Sequence, residues 1–181
     1  MVRIQVKHGG DQREFLYECL TTSTVDEIAR DLTEIANLQS LIQRFALQLE
    51  ARVSPPHEDS EVITLFRALS EAKVYSSQDQ VHHNKPLSSY VLKNHIKNIE
   101  KVFRLNYQKM GFPHSNIQQL FTDLELLQGD TIELVWAGKK LLRGKKLCDY
   151  VGKNEKTKIM LRLQSPGSPS CTNSLMELGN K

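Results

Sequence analysis

The histidines of this chain are the side chains best suited to bind a metal ion. His82 and His83 are adjacent to each other. The others stand alone, among them His57, His95 and His114. A structural zinc site needs cysteines and histidines at close, regular spacing, and the sequence contains no such set. We therefore expect no metal site.

One cysteine stands beside positive charge, an arrangement that can activate a thiol. Cys148 follows Lys145 and Lys146, and neighbouring cations stabilise a thiolate. No nucleophile motif surrounds Cys148, and the sequence has no P-loop, no GxSxG elbow and no recognisable acid pair. We therefore expect Cys148 to be a small packing residue. The chain is predicted to be no enzyme, with no cofactor and no small-molecule substrate.

A compact charged segment follows Cys148 and is the best candidate for binding a partner protein. Lysines 153, 156 and 158 lie close to Glu155. Loops held by a rigid scaffold often carry recognition, although a merely solvated loop is the alternative interpretation. The predicted partner-binding residues are Asp149, Tyr150, Lys153, Asn154, Glu155, Lys156 and Lys158.

Composition and charge limit the kinds of partner and the compartment that we expect for this chain. The 181 residues are 39% hydrophobic and 25% charged, with a net charge of +3, which is ordinary for a globular protein and gives no strong field for nucleic acid or membrane. The first residues alternate apolar and polar side chains, so we expect no secretory signal. Three widely spaced cysteines argue against a disulfide framework and favour a reducing compartment such as the cytoplasm.

The elements that must position the charged segment begin with a hairpin. Val2–Val6 and Phe15–Cys19 alternate apolar and polar side chains, which predicts two half-buried strands. The residues between them, from His8 to Asp11, include two glycines and favour a turn.

An amphipathic helix follows this hairpin. Thr24 and Glu27 form a capping-box pattern, and apolar residues recur at helical spacing over Val25–Leu38. The same spacing extends to Leu49 unless Asn37 breaks the helix.

The stretch from 51 to 130 is predicted to be a helical insertion. Two prolines at 55 and 56 end the first helix. Short apolar stripes then predict a helix around Val62–Leu69, a longer helix beginning near Pro86, and a third around Ile117–Leu127, with a polar loop over Ser76–Lys85. Glycine and aspartate at 129 and 130 supply the closing turn.

The longer helix of this insertion carries a basic stripe. Its cations are Lys93, Lys97, Lys101 and Arg104. Such a face could bind acidic tubulin tails or nucleic acid, but it lacks the aromatic residues that single-strand binders interleave. We favour a solvated face opposite the apolar stripe of this helix.

Strand patterns return after residue 130. Ile132–Trp136, Lys140–Leu142 and Ile159–Leu163 are predicted strands, and Trp136 is expected in the core or at its rim. The Ser/Pro-rich tail from 165 to 181 cannot build a core, and we expect it to be disordered. The predicted fold is therefore α+β, with a mixed sheet whose halves, 1–50 and 131–164, are separated by the insertion.

Two parts of the sequence resemble ubiquitin. The stretch Leu134-Val135-Trp136-Ala137-Gly138-Lys139-Lys140-Leu141, followed by Gly144, Leu147, Asp149 and Tyr150, is similar to the second half of ubiquitin. The hairpin and the Thr24-capped helix resemble its first half. The resemblance implies a ubiquitin-like β-grasp fold, in which the Tyr150 side chain turns back to bond a backbone group of a loop.

A longer contiguous stretch resembles a different family. Lys145-Lys146-Leu147-Cys148-Asp149-Tyr150-Val151-Gly152-Lys153-Asn154-Glu155-Lys156-Thr157-Lys158-Ile159 is similar to the signature of the Kurly family of cilia- and flagella-associated proteins, with cysteine at 148 where the family has serine. The opening residues and Met110-Gly111-Phe112-Pro113 resemble other parts of that family. The family's longer middle region and its charged C-terminal extension are not matched here.

The second resemblance implies a role in ciliary or flagellar motility. Members of the family are implicated in cytoplasmic preassembly of axonemal dynein arms, so the implied partners are dynein-arm assembly factors or axonemal dynein subunits. The implied location is the cytoplasm and the cilium or its base. A structural component of the axoneme is one alternative, and a general ubiquitin-like adaptor for chaperone or proteasome partners is another.

Two ubiquitin-like roles are disfavoured by the residues themselves. Conjugation needs a terminal diglycine, whereas Gln164-Ser165-Pro166-Gly167 follows the last predicted strand. Docking on ubiquitin receptors would centre on Val135, but the neighbours that the resemblance implies are near His8 and Arg162, so the apolar patch is not reproduced. We expect Val135 to be an ordinary half-exposed strand residue.

Overall fold

The computed structural model describes residues 1–10, 13–53, 58–117, 119, 124 and 126–167. Five strands form one mixed sheet: β1 (Val2–His8), β2 (Arg13–Cys19), β3 (Glu133–Trp136), β4 (Lys139–Lys140) and β5 (Lys158–Gln164). The described helices are α1 (Val25–Arg52), α2 (Ser60–Tyr75), α3 (Asp79–His82), α4 (Ser89–Asn106) and α5 (Cys148–Val151). The predicted α+β class is confirmed.

The strands lie in the order β2-β1-β5-β3-β4, with β1 and β5 parallel at the centre and the other pairs antiparallel. Ile4 lies beside Ile159 although 155 positions separate them in sequence. The two ends of the chain therefore share one core, as the strand patterns predict.

Alternation along the strands divides the sheet into an inner and an outer face. Val2, Ile4 and Val6 are fully buried on the inner face, where the fully buried Ile28 and Leu32 of α1 belong to the same apolar cluster. Trp136 is half-buried against this core, in agreement with its predicted place at the rim. The outer face carries the intervening polar residues.

Helix α1 runs unbroken for 28 residues, about 42 Å at 1.5 Å per residue. The break considered at Asn37 does not occur. The Asn37 side chain instead accepts a hydrogen bond from the backbone N–H of Leu127 (2.9 Å) and donates one to the Leu127 carbonyl (3.0 Å). A polar residue in mid-helix is thus satisfied by a distant loop rather than by its own backbone.

Gln39 and Ser40, at the middle of α1, still bond to His8 and Arg13 of the sheet, and the last turns of α1 pack against α2 and α4. Three aromatic rings fill this region: Phe103 lies 5.2 Å from Phe45 and 5.1 Å from Phe112, centroid to centroid, both edge to face. The guanidinium of Arg52 sits 4.7 Å above the Phe112 ring. The buried residues of these helices belong to the same apolar cluster as the sheet core.

Two predicted helices differ from the structure. Helix α4 begins at Ser89 rather than near Pro86, because Pro86 pairs with Leu16 at the outer edge of β2 and Leu87 donates its N–H to the Leu16 carbonyl (2.8 Å). The helix predicted around residues 117–127 falls partly outside the described residues. Of its described residues, 117 and 119 lie in a 3-10 helical turn, whereas 124, 126 and 127 are not helical.

The helical insertion at 51–130 and the disordered tail at 165–181 stay predictions. The described part of 51–130 contains α2, α3 and α4, but their core is continuous with that of the sheet. Most of the predicted disordered tail, 168–181, lies outside the described residues. Among the described residues, no helix combines the length and the apolar composition needed to span a membrane.

Candidate partner-binding site

The lysine-rich segment, residues 145–158, is held against the start of helix α1 by backbone hydrogen bonds. The Leu147 N–H donates to the Ser23 carbonyl (2.9 Å) and the Val25 N–H to the Lys145 carbonyl (2.8 Å). At the residue after Leu147, the Cys148 N–H donates to the Thr21 carbonyl (2.8 Å). The segment is thereby fixed to the loop between β2 and α1, and Leu147 is fully buried beneath it.

The start of α1 is itself capped, as the sequence predicts. The Thr24 hydroxyl accepts from the Glu27 N–H (3.2 Å) and the Glu27 carboxylate accepts from the Thr24 N–H (2.9 Å), which is a complete capping box. The backbone N–H of Thr24 lowers the pKa of Glu27 by stabilising its charged form. The neighbouring Asp26 carboxylate accepts the N–H of Gly144 (2.7 Å).

Gly144 occupies a backbone conformation with φ +78, which a β-carbon would strain. The turn at Gly144 therefore brings the segment onto the capped helix end.

Asp149 and Tyr150 both hold the fold. The Asp149 carboxylate accepts the Lys146 N–H (2.9 Å), which closes the turn before α5. The Tyr150 hydroxyl accepts the Leu142 N–H (2.8 Å). The bond from Tyr150 back to a loop, which the ubiquitin resemblance implies, is therefore present.

Asn154 and Glu155 fix the turn that leads into β5. The Asn154 side-chain oxygen accepts the Lys156 N–H (3.0 Å), and its carbonyl accepts the Thr157 hydroxyl (2.7 Å). Glu155 Oε1 accepts both the N–H (2.9 Å) and the hydroxyl (2.6 Å) of Thr21. These bonds from Thr21 lower the pKa of Glu155, and the Met1 amino group 3.6 Å from Oε2 acts in the same direction.

The lysine side chains of the segment are exposed and, among the described residues, make no hydrogen bond that fixes its shape. Lys153, Lys156 and Lys158 are exposed, as are Lys145 and Lys146 just before α5. None of the five forms an ion pair within the part of the chain that the structure describes. Lys158 opens strand β5 next to Arg3 and lies on the outer face of the sheet, apart from the loop lysines.

The seven predicted residues thus divide by role. Four of them (Asp149, Tyr150, Asn154 and Glu155) are engaged in bonds within the protein, and three lysines present charge to solvent. The sequence did not point to Thr21 as the partner of Glu155, because 134 positions separate the two residues and a threonine after a strand is unremarkable. Lys145 and Lys146 were not among the predicted partner-binding residues, although they too are exposed.

The thiols and histidines are placed as follows. Cys19 is buried, and burial raises the pKa of its thiol to about 12, while Cys148 is half-buried. Within the described ranges, no three of His, Cys, Asp and Glu are grouped as they would be to hold a metal ion. His57 and Cys171 lie outside those ranges.

Comparisons with known proteins place this geometry in context. The family model described as cilia- and flagella-associated protein 298 matches residues 132–177, which include the whole lysine-rich segment. Cilia- and flagella-associated protein 298-B of Xenopus laevis is 27% identical, over 92% of this chain and 76% of the relative. The Danio rerio protein 298 is 24% identical, over 92% and 77%.

The human relative gives a shorter, more similar match. Cilia- and flagella-associated protein 298 of Homo sapiens is 32% identical, over 62% of this chain and 42% of the relative. No solved structure matches the chain. The resemblance to the Kurly family is confirmed by the family model and by relatives aligned over most of the chain.

Proposed function

On the premise that this chain is a relative of cilia- and flagella-associated protein 298, we propose that it is a non-catalytic adaptor in ciliary or flagellar motility. Its role is that of an assembly factor for axonemal dynein arms, and it acts in the cytoplasm and at the cilium or its base. Its partners are dynein-arm assembly factors or axonemal dynein subunits.

The observation that carries this proposal is the match of residues 132–177 to the family model, together with relatives aligned over 92% of the chain. The matched region contains the segment whose lysines are exposed and whose other polar side chains fix its shape. A rigid loop that presents unpaired charge is well suited to protein recognition.

A binding role rather than a chemical one is supported by what the polar groups of the segment do. The carboxylates of Asp149 and Glu155 both accept backbone N–H groups. A general acid or base must be available to a substrate proton. These carboxylates are instead committed to the turn before α5 and to the link with Thr21.

Disruption of the gene in a multiciliated cell tests the proposal. Electron microscopy of axoneme cross-sections should show missing outer or inner dynein arms, and high-speed video should show slow or absent beating. Re-expression of the intact chain should restore both. Axonemes with normal arms and normal beating in the disrupted cells would contradict the proposal.

A second experiment separates assembly in the cytoplasm from residence on the axoneme. An assembly factor should be recovered from the cytoplasmic fraction with dynein heavy chains or their chaperones. A structural component would remain with microtubules after salt extraction. That result would contradict a role in assembly and support a structural role on the axoneme.

The general ubiquitin-like adaptor is disfavoured by the surroundings of Val135. Val135 pairs with Arg162 on one side and Lys140 on the other, so the position that would dock on a ubiquitin receptor lies between two cations. Binding of the purified protein to proteasomal ubiquitin receptors, abolished by Val135→Glu, would restore this alternative.

A further inference from the structure

The outer face of the sheet, opposite α1, carries an unusual combination of cations and one exposed apolar side chain. The register of β1 and β5 places Arg3 beside Lys158 and Lys7 beside Arg162. Between these pairs, Met160 lies next to Gln5 and is 49% exposed. A methionine this exposed at the centre of a sheet face is accessible to a partner.

Two depressions meet at Met160. The first, of about 490 Å³, lies between Met160 and the β3–β4 hairpin at Trp136–Gly138. The second, of about 410 Å³, lies between Met160 and the α3 region, where Val81 and Asn84 form its wall. The helical region and the hairpin therefore turn the sheet face into a groove with two walls, which we call the sheet groove.

The described charged residues that line the sheet groove are all cations. Its described lining residues include five cations and no carboxylate: Arg3, Lys7, Lys140, Lys158 and Arg162. Three described carboxylates border the groove without lining it. Glu18 and Glu133 pair with Arg3 and Lys140, and Glu14 lies opposite Lys7 in the strand register and accepts a hydrogen bond from Gln5. Lys7 and Lys158 form no ion pair with any residue that the structure describes.

The floor of the groove is apolar. Met160 and the half-buried Val135 supply a thioether and a branched aliphatic side chain. Methionine adapts its shape to the group that it contacts. An apolar floor between cationic sides matches a chain with an apolar side chain flanked by carboxylates.

We propose that the sheet groove binds an extended acidic segment of a partner protein, with one aliphatic or aromatic side chain seated over Met160 and carboxylates directed at Lys7 and Lys158. Single-stranded nucleic acid fits less well, because its bases stack on exposed aromatic rings, and Trp136 is the one aromatic residue among the described lining residues. This proposal concerns a surface separate from the loop lysines. It goes beyond the ciliary role and does not rest on it.

Fluorescence anisotropy with a synthetic probe tests the sheet groove. The probe is a fluorescein-labelled peptide of glutamates with one central leucine. The purified chain should bind it, and affinity should fall as salt shortens the screening length from about 30 Å at 0.01 M to about 3 Å at 1 M. A peptide with glutamines in place of the glutamates should bind about tenfold or more weakly.

Substitutions locate the binding on this face. The double variant K7E/K158E should weaken binding about tenfold or more, and Met160→Ser should weaken it severalfold. The matched control K97E/K101E changes the net charge equally, but at exposed lysines of α4. This control should bind like the unaltered chain, and circular dichroism should show all variants folded.

Three outcomes would overturn the proposal. The first is equal weakening by K7E/K158E and K97E/K101E, which would show attraction by overall charge alone. The second is unchanged binding by Met160→Ser and K7E/K158E in folded protein. The third is tighter binding of a labelled oligouridylate than of the leucine peptide, with the same loss in K7E/K158E, which would make the groove a nucleic-acid surface.

Discussion

The two ends of helix α1 are held by different kinds of interaction. At its first residue, a network of hydrogen bonds ties the helix to the lysine-rich segment through Thr21, Ser23 and Asp26. At its last turns, aromatic and aliphatic side chains pack around Phe45 and Phe103. The polar end fixes the shape of one loop, and the apolar end supplies packing energy for the helical region.

This difference teaches how one chain combines a precise loop with a large insertion. Hydrogen bonds contribute about 1 kcal/mol each but are directional, whereas buried rings contribute several kcal/mol with less geometric demand. Buried residues from both ends of α1 belong to one apolar cluster. We therefore expect a destabilising substitution at either end to lower the stability of the whole core. Substitutions at each end of α1 test that link and the contrast between the two ends.

The largest expected effect is at the apolar end. Phe103→Ala removes a fully buried ring that contacts Phe45 and Phe112, and the free energy of unfolding should fall by about 3–5 kcal/mol. The matched control Leu105→Ala, at a residue 76% exposed, should change it little. Urea unfolding followed by circular dichroism measures both.

The same variant tests whether the two ends unfold together. Trp136 is the only tryptophan of the chain and lies in the sheet region, so its fluorescence reports a different place from the helical signal. The two transitions of Phe103→Ala should coincide. A fluorescence transition that stayed at the wild-type urea concentration would show two independent units.

A smaller effect is expected at the polar end. Tyr150→Phe removes the hydroxyl that accepts the Leu142 N–H, and the free energy of unfolding should fall by about 1 kcal/mol. Tyr90→Phe removes the same atom from a side chain that is 71% exposed and should have almost no effect. Equal melting curves for the two variants would contradict the role given to Tyr150.

The smallest effect concerns a buried histidine. The Nε2 atom of His8 lies 2.8 Å from the Oε1 atom of Gln39. The side-chain amide of Gln39 in turn donates to the Ser76 carbonyl (2.7 Å). Burial lowers the pKa of His8, and nearby Arg13 adds to this. As pH falls, the unfolded chain therefore binds a proton at His8 more readily than the folded chain does. The stability that neutral, buried His8 contributes is complete above about pH 6.5 and is lost as pH falls below that value.

Urea midpoints measured between about pH 7 and pH 5 test this dependence. His8→Gln should flatten the decline, whereas the exposed control His82→Gln should leave it unchanged. An identical decline in both variants would assign the pH effect to other groups.

The features that were predicted from the sequence are those that depend on residues close together in the chain. Alternation predicted β1, β2, β3 and β5 to within about two residues, and the Thr24–Glu27 capping box predicted the start of α1. The resemblance to ubiquitin implied the bond from Tyr150. These features depend on neighbours in sequence or on a motif that carries its own geometry.

Features set by distant contacts were not predictable from the sequence. The Asn37 amide, inside α1, is satisfied by Leu127, which is 90 positions away in the sequence. Pro86 pairs with the sheet edge instead of opening a helix. Of the predicted partner-binding residues, Glu155 is occupied by Thr21, and the groove around Met160 exists only because α3 and a hairpin form its walls.

We propose, as the central claim, that the lysine-rich segment keeps its shape through its internal hydrogen bonds and recognises its partner through exposed lysines. Rescue of beating in disrupted ciliated cells tests it most directly. K153E/K156E should fold normally and fail to restore dynein arms, whereas the matched K97E/K101E should restore them. Full restoration of arms and beating by K153E/K156E would contradict the claim.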